Sequence, residues 1–361
     1  MSGIVLEGVT KQYPGGVEAV SNVSLVVEEG EFVTLVGPSG CGKTTTLRTI
    51  AGFEQLTEGV VGISGDRMNG VAPDKRDIGM VFQDFALFPH KTVAENVAYG
   101  LEVRGRDSES IDERVEEMLE LVELPETADR KPDQLSGGQQ QRIALARALA
   151  PEPDVLLLDE PLASLDKKLR ETMQVELRRI QQQLGITTLL VTHNQKEALT
   201  MSDRVVVMND GQFAQVGAPE EVYSDPASPF VADFVGTANL FSGTVSTVED
   251  GLATVDCGPA TIRSTDTTGL TPGTAVSVVY RPEHLSIDTG KTAPDGAGGS
   301  ETVFDGTVSV RRYVGDQIEY HVDIDDDETI VATQRVEQTD ARTGDGVSLR
   351  IPAANCLLLD Q

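Results

Sequence analysis

The sequence predicts an α/β domain with a largely parallel sheet over residues 1–236, followed by a small all-β domain over residues 237–361. Three observations carry this prediction. The runs 155–158 (VLLL) and 186–191 (ITTLLV) are apolar without alternation, as in parallel strands covered on both faces, and each ends in polar residues ahead of a helical stretch. A glycine-rich turn joins another such run to a helix at 31–50 (EFVTLVGPSGCGKTTTLRTI). From Asn239 onward the texture changes to short alternating runs, at 241–248, 253–257, 275–280, 303–314, 317–324, 329–333 and 346–351, with Gly, Asp and Thr turns between them.

In chain order, residues 4–12 and 20–27 alternate apolar with polar, as half-buried antiparallel strands do. Tyr13-Pro14-Gly15-Gly16 turns between them, and Tyr13 suits either a hydrophobic plug or a platform on which a base stacks. Next, Gly37-Pro38-Ser39-Gly40-Cys41-Gly42-Lys43-Thr44 fits G-x-x-x-x-G-K-[ST], the Walker A pattern of a P-loop. Its glycines let successive N–H groups converge on phosphate oxygens, and the helix that follows presents its positive end to the same anion. Lys43 suits the β- and γ-phosphates, and the Thr44 hydroxyl suits Mg²⁺. Cys41 fills a position of the pattern that takes any residue.

Strands are expected at 59–65 and 76–82, the second ending in Gln83, a residue that either caps the strand or senses a nucleotide beside it. Thr92-Val93-Ala94-Glu95 is a capping box that opens a helix, and residues 108–124 form an amphipathic helix with Ile111, Val115, Met118, Leu119 and Val122 on one face. Leu135-Ser136-Gly137-Gly138-Gln139 opens a helix through Ala150; it reads as a second anion site or as a plain N-cap by Ser136. The 155–158 strand ends in Asp159-Glu160-Pro161. Carboxylates at the carboxyl end of such a strand lie where α/β sheets bind ligands; Asp159 suits Mg²⁺ and Glu160 suits activation of water. Ser164-Leu165-Asp166 leads into a helix over 167–184 stopped by Gly185, and the 186–191 strand ends in Thr192-His193-Asn194, where His193 can reach a γ-phosphate. A helix at 195–201, a strand at 204–209, a hairpin turn at Asp210-Gly211 and a helical tail over 220–235 complete the first domain. Residues 288–300 (DTGKTAPDGAGGS) read as a flexible loop of the second.

Composition narrows the class. The net charge of −29, dispersed in stretches such as 107–120 (DSESIDERVEEMLE) and 323–328 (DIDDDE), is the wrong sign for sequence-independent nucleic-acid binding. With lysine scarce beside arginine, it has the character of a surface adapted to concentrated salt. No apolar run reaches membrane-spanning length, and residues 1–10 lack the basic and apolar regions of a signal peptide, so a cytosolic chain is expected. The 3 cysteines lie far apart and form neither a disulfide framework nor a zinc pattern.

The ordered series of P-loop, Gln83, LSGGQ at 135–139, VLLLDEP at 155–161, SLD at 164–166 and His193 resembles the ATPase subunit of an ABC transporter. The stretch 82–101 (FQDFALFPHKTVAENVAYGL) is more narrowly similar to importers that work with a solute-binding protein, and residues 239–359, with Arg281-Pro282-Glu283 and Tyr313-Val314-Gly315-Asp316, resemble their C-terminal TOBE-type, barrel-like β-domain. The resemblance implies an ABC ATPase with antiparallel β and helical subdomains that uses ATP and Mg²⁺. It implies that Gly37–Thr44 with Thr45 hold the phosphates, that Tyr13 stacks on adenine, and that Thr44, Gln83 and Asp159 attend the metal. Glu160 is then the general base, with Lys43, Gln83 and His193 at the γ-phosphate. Ser136, Gly137, Gly138, Gln139 and Asp166 would close on ATP held by a second ATPase subunit, two permease subunits and a solute-binding protein would complete the assembly, and the chain would sit on the cytoplasmic face of the membrane. Phe85 to His90 would face the permease. Asn194 and Lys91 depart from the family, which often has Asp after the His and Met before the capping-box Thr. The implied cargo is a polyamine or ferric iron, with molybdate or tungstate, sulfate or thiosulfate, and sugar as alternatives. A soluble ABC ATPase of DNA repair or translation is the reading of another class; the chain shows neither its long insertions nor a second P-loop. The β-domain reads either as a brace for the dimer or as a regulatory site.

Overall fold

The structure, a computed structural model, describes residues 2–258, 260–289, 301–325 and 328–360. The loop expected at 288–300 lies outside them from residue 290 on. Contacts divide the chain into two units, Met1–Val222 and Tyr223–Gln361.

In the first unit the elements run β1 (Ser2–Gln12), β2 (Glu18–Glu28), β3 (Phe32–Val36), α1 (Lys43–Ala51), β4 (Glu58–Ile63), β5 (Asp66–Arg67), β6 (Ile78–Val81), α2 (Val93–Val103), α3 (Ser108–Leu121), α4 (Gly137–Leu149), β7 (Val155–Asp159), α5 (Lys167–Leu184), β8 (Thr187–Thr192), α6 (Gln195–Met201), β9 (Arg204–Asn209) and β10 (Gln212–Gly217). A six-stranded sheet has the order β10-β9-β3-β8-β7-β6. Neighbours from β9 through β6 are parallel, and only the edge strand β10 is antiparallel. The unbroken apolar runs follow from this: every residue of β3, β7 and β8 is buried, because helices cover both faces of a parallel sheet. A separate antiparallel sheet, β2-β1-β4-β5, carries the alternating strands. Asp210 (φ 45) and Gly211 (φ 80) make the tight β9–β10 hairpin with two left-handed residues.

α2, α3 and α4 form a helical layer on a shared core that includes Val97, Met118 and Ile143. The Thr92–Glu95 capping box is formed. α3 buries Val115, Met118 and Leu119 and stops at Leu121, three residues short of the expected 124. α5 ends where Gly185 takes up the left-handed conformation (φ 62).

The short helix α7 (Pro219–Ser224) follows β10; in the second unit, α8 (Pro229–Phe234) precedes β11 (Asn239–Glu249), β12 (Leu252–Asp256), β13 (Thr261–Ser264), β14 (Ala275–Tyr280), β15 (Ser286–Asp288), β16 (Glu301–Val314), β17 (Gln317–Asp325), β18 (Glu328–Arg335), β19 (Gly346–Pro352) and β20 (Leu357–Asp360). They form two five-stranded antiparallel sheets, β13-β12-β11-β14-β20 and β15-β19-β16-β17-β18, around one core in which Phe241, Tyr280 and Phe304 stack. β13, β15 and β20 are too short for alternation to announce them.

The sequence places residues 223–236 with the first domain; in the structure they pack with the second unit. Arg281, at the end of β14, is 5% exposed and donates to Tyr223 O (2.9 Å), Ala232 O (2.7 Å) and Thr237 O (3.3 Å), which straps this segment to the β-sheets.

Candidate active site

Parallel pairing decides where the site forms. β3, β8, β7 and β6 lie side by side and point the same way, with Val36 beside Thr192, Asp159 beside Val191, and Val81 beside Leu158. Their carboxyl ends therefore deliver the 37–43 loop, His193, Glu160 and Gln83 to one edge of the sheet.

The loop leaves β3 under close constraint. A Cβ on Gly37 would stand 2.2 Å from Met208 O, and Gly42 has φ 108 with Ala19 O 2.2 Å from where its Cβ would be. No other residue fits at either position, and Gly42 turns the chain directly into α1. Ser39 and Gly40 at the loop's tip are exposed, Pro38 is half-buried, and Cys41 is buried with its thiol pushed up by burial. The Lys43 side chain, 5% exposed, returns across the loop: Nζ donates to Gly37 O (2.7 Å) and Pro38 O (2.8 Å).

One residue further on, Thr44 Oγ1 donates to Asp159 Oδ1 at 3.3 Å. Asp159 is 7% exposed. Burial pushes its carboxyl above the usual range, while the Thr44 hydrogen bond and the nearby Arg48 pull the other way. Glu160 follows in a left-handed conformation (φ 46), its N–H bound to Val191 O at 2.9 Å, which continues the ladder past the last paired residue and turns its side chain toward β8. There Glu160 Oε2 meets His193 Nδ1 at 3.0 Å. A hydroxyl–carboxylate pair, a carboxylate held by an imidazole and an ammonium thus meet over a glycine loop at a helix N-terminus. This donor set suits a phosphoanhydride with a hard divalent cation, and a base for water.

The other expected residues lie around this centre. Gln83 is exposed just beyond β6. Thr45 is half-buried, and its carbonyl accepts the Thr49 hydroxyl (2.8 Å). Tyr13 is half-buried at the end of β1 with Lys11 Nζ 4.8 Å from its ring centroid, so a cation lies over one face of the ring. Ser136 accepts Gln139 N–H (3.3 Å) while Gln139 Oε1 accepts Ser136 N–H (3.0 Å), a capping box at the start of α4. Gly137 is exposed, and Gly138 sits against Leu169. Asp166 caps α5 by accepting Leu169 N–H (3.1 Å). Among the described residues no hydrogen bond or ion pair joins Ser136–Gln139 or Asp166 to the 37–44 loop.

Three further residues brace the site without a sequence signal that singles them out. Glu197 of α6, 3% exposed, accepts the Thr192 hydroxyl (2.6 Å) and the Asn194 amide (3.1 Å) on either side of His193. Asn96 of α2 and Arg147 of α4 hold the segment after Gln83. Each reads in sequence as one more polar residue on an amphipathic helix.

The model of the ABC transporter family matches residues 20–163, and that of the TOBE domain matches residues 278–359. The spermidine/putrescine import ATP-binding protein PotA of Thermobifida fusca (strain YX) is 50% identical, over 92% of this chain and 86% of that protein. The protein of the same name from Pseudomonas fluorescens (strain Pf0-1) is 42% identical over 99% of this chain and 98% of its own. The chain belongs to the ATP-binding subunits of ABC transporters. It is an ABC-type ATPase of the importer group with a TOBE domain, as its motifs led us to expect. A dimeric ATP-binding cassette solved in a post-hydrolysis state with ADP and phosphate is similar in fold, with a TM-score of 0.54 and 37% identity over 60% of this chain and 98% of that one. A second structure of a dimeric bacterial cassette gives the same score at 38% identity. Among the described residues no helix is long and apolar enough to cross a membrane.

Proposed function

We propose that this ATPase drives uptake of a polyamine, spermidine or putrescine, through a membrane permease. The observation that carries the cargo is the name shared by the two near-full-length relatives above, at 50% and 42% identity, each a spermidine/putrescine import ATP-binding protein. The test is uptake of labelled spermidine by a strain carrying the chain with its neighbouring transport genes. Uptake that is lost on deleting this gene and restored by it is expected; ATP-dependent uptake of ferric iron with none of spermidine would reject the cargo.

In the proposed mechanism the N–H groups of the 37–44 loop and Lys43 bind the triphosphate of ATP, and the face of Tyr13 away from Lys11 takes the adenine. Thr44 and Asp159 fit Mg²⁺: they are hard oxygen donors 3.3 Å apart, and this cation is held by one or two protein groups with the remaining positions left to phosphate and water. Mg²⁺ would neutralise charge building on the phosphates. Glu160 takes the proton of the attacking water on its carboxylate, and His193 orients that carboxylate through Nδ1 and faces the γ-phosphate. Gln83 senses the metal and the γ-phosphate from the end of β6.

Ser136, Gly138, Gln139 and Asp166 belong, on this reading, to the composite site of a homodimer. The exposure of Ser136 and Asp166, and the absence among the described residues of a hydrogen bond from any of the four to the loop, support that placement. Two such subunits on the cytoplasmic face would close on ATP and reopen after hydrolysis, carrying two permease subunits with them, while a solute-binding protein supplies the cargo from outside.

A further inference from the structure

The segment that follows Gln83 has an unusual backbone. Phe85 (φ 61) and Ala86 (φ 48) are consecutive, neither is glycine, and both are left-handed. A side chain with a Cβ resists this conformation, and two in succession persist only where the surroundings over-determine them.

Three holds are present. The Phe85 side chain is buried in the core it shares with α2, α3 and α4. Asn96, 0% exposed on α2, clamps Phe88 from both sides, its Oδ1 accepting Phe88 N–H (2.8 Å) and its Nδ2 donating to Phe88 O (3.2 Å). The third hold is the Arg147 guanidinium of α4. It donates to Ala86 O (2.6 Å) and to Phe85 O (2.8 Å), the carbonyls of the two left-handed residues themselves, and its carbon lies 5.6 Å from the centre of the Phe88 ring. Donors that carry charge make the stronger hydrogen bonds. Burial disfavours the charged form of Arg147 and the Asp84 charge favours it, so the guanidinium is kept there against a desolvation cost.

We propose that Arg147 is a latch: it holds the Phe85–Ala86 pair against its own backbone strain and thereby positions Gln83 at the sheet edge where Lys43, Asp159, Glu160 and His193 converge. Arg147 is a positioning residue and does not touch the nucleotide. The effect on catalysis rests on the role proposed above for Gln83; the latch itself does not. Because α4 begins at Ser136–Gln139, the latch makes the setting of Gln83 follow the position of the helix that carries the composite-site residues. With the latch removed, residues 85–86 relax to an ordinary conformation and Gln83 is released.

The test compares the full-length chain with Arg147→Ala, Arg147→Lys, Ala86→Gly and the double variant Arg147→Ala/Ala86→Gly. Amide hydrogen exchange is followed in peptides covering 83–88, with ATP turnover measured alongside. In Arg147→Ala, exchange of the Phe85 and Phe88 amides rises by roughly tenfold to a hundredfold, the factor that loss of charge-assisted hydrogen bonds carries. Peptides of the second unit are unchanged, and kcat falls with little change in KM for ATP. Glycine at 86 accepts the left-handed conformation without strain, so the double variant recovers about tenfold of the exchange and most of kcat. Arg147→Lys keeps the charge but loses the two-pronged fork, gives an intermediate effect, and carries the test if the alanine variant does not fold. The latch is overturned if exchange at 83–88 is unchanged in the Arg147 variants, or if Ala86→Gly recovers none of it, the result expected were Arg147 merely supporting α4. Recovered exchange with kcat never affected overturns the positioning of Gln83 and leaves the roles of Lys43 and Glu160 standing. A wild-type chain unable to hydrolyse ATP would instead refute the reading of the site, while the exchange data still decide the latch.

Discussion

At the residue scale, the centre pairs two carboxylates in different surroundings. Asp159 is buried against Thr44, whereas Glu160 is turned outward by its left-handed backbone and held by His193. Adjacent in sequence, the two are separated in task by one dihedral angle. The proposed base makes a sharp prediction. Glu160→Gln keeps the size of the side chain and a hydrogen bond to His193 but cannot accept a proton. Turnover is expected to fall by about 10²–10⁴-fold, with binding of a fluorescent ATP analogue retained. Turnover within a few-fold of wild type would reject Glu160 as base. These residues were legible because each sits at a break in a strong pattern, a buried strand giving way to charge. Arg147, Asn96 and Glu197 were not, because a polar residue on an amphipathic helix carries no sign of the distant carbonyl, amide or hydroxyl it will meet.

At the scale of elements, the helix caps and sheet strands follow local rules that the sequence states openly: the Thr92–Glu95 box, Gly185 after α5 and the Asp210-Gly211 hairpin. The segment after Val222 shows where local reading fails. Its one short helix, Pro229–Phe234, has no strong periodicity, and the strap from Arg281 assigns the segment to the β-unit. That strap includes Tyr223, whose ring lies 4.2 Å from the Arg281 guanidinium and whose hydroxyl donates to Glu283 at 2.7 Å. Burial, and then the Glu283 hydrogen bond, push the Tyr223 hydroxyl up to about 12. The folded pKa lies above the unfolded value of about 10, so this group's contribution is complete below pH ~10 and is lost as pH climbs toward 12. Urea unfolding of the wild type should therefore weaken over that window relative to Tyr223→Phe. Parallel pH profiles of the two proteins would reject the contribution.

At the scale of the whole molecule, one chain presents two incomplete halves: a centre at the sheet edge, and capped helix starts at Ser136 and Asp166 that face solvent. If the halves complete each other between copies, specific ATPase activity must depend on protein concentration. It should rise steeply with dilution reversed, and Ser136→Arg, which blocks that surface, should abolish turnover while leaving one ATP bound per chain. Activity per chain that is constant over a hundredfold dilution would reject the composite site.

The sequence by itself determined the α/β class, the glycine-rich loop between β3 and α1, the carboxylate pair at the end of β7 and the family, because tight turns and the burial of parallel strands dictate residue types at short spacings. Only the tertiary structure decided which strand ends become neighbours, that Glu160 meets His193 across β7 and β8, where the chain divides, and that Arg147 grips a strained turn sixty residues upstream. The physical reason is range. Caps, turns and strand periods are set by neighbours in the chain, whereas those pairings come from strand order and helix packing, which bring together residues that share no local pattern.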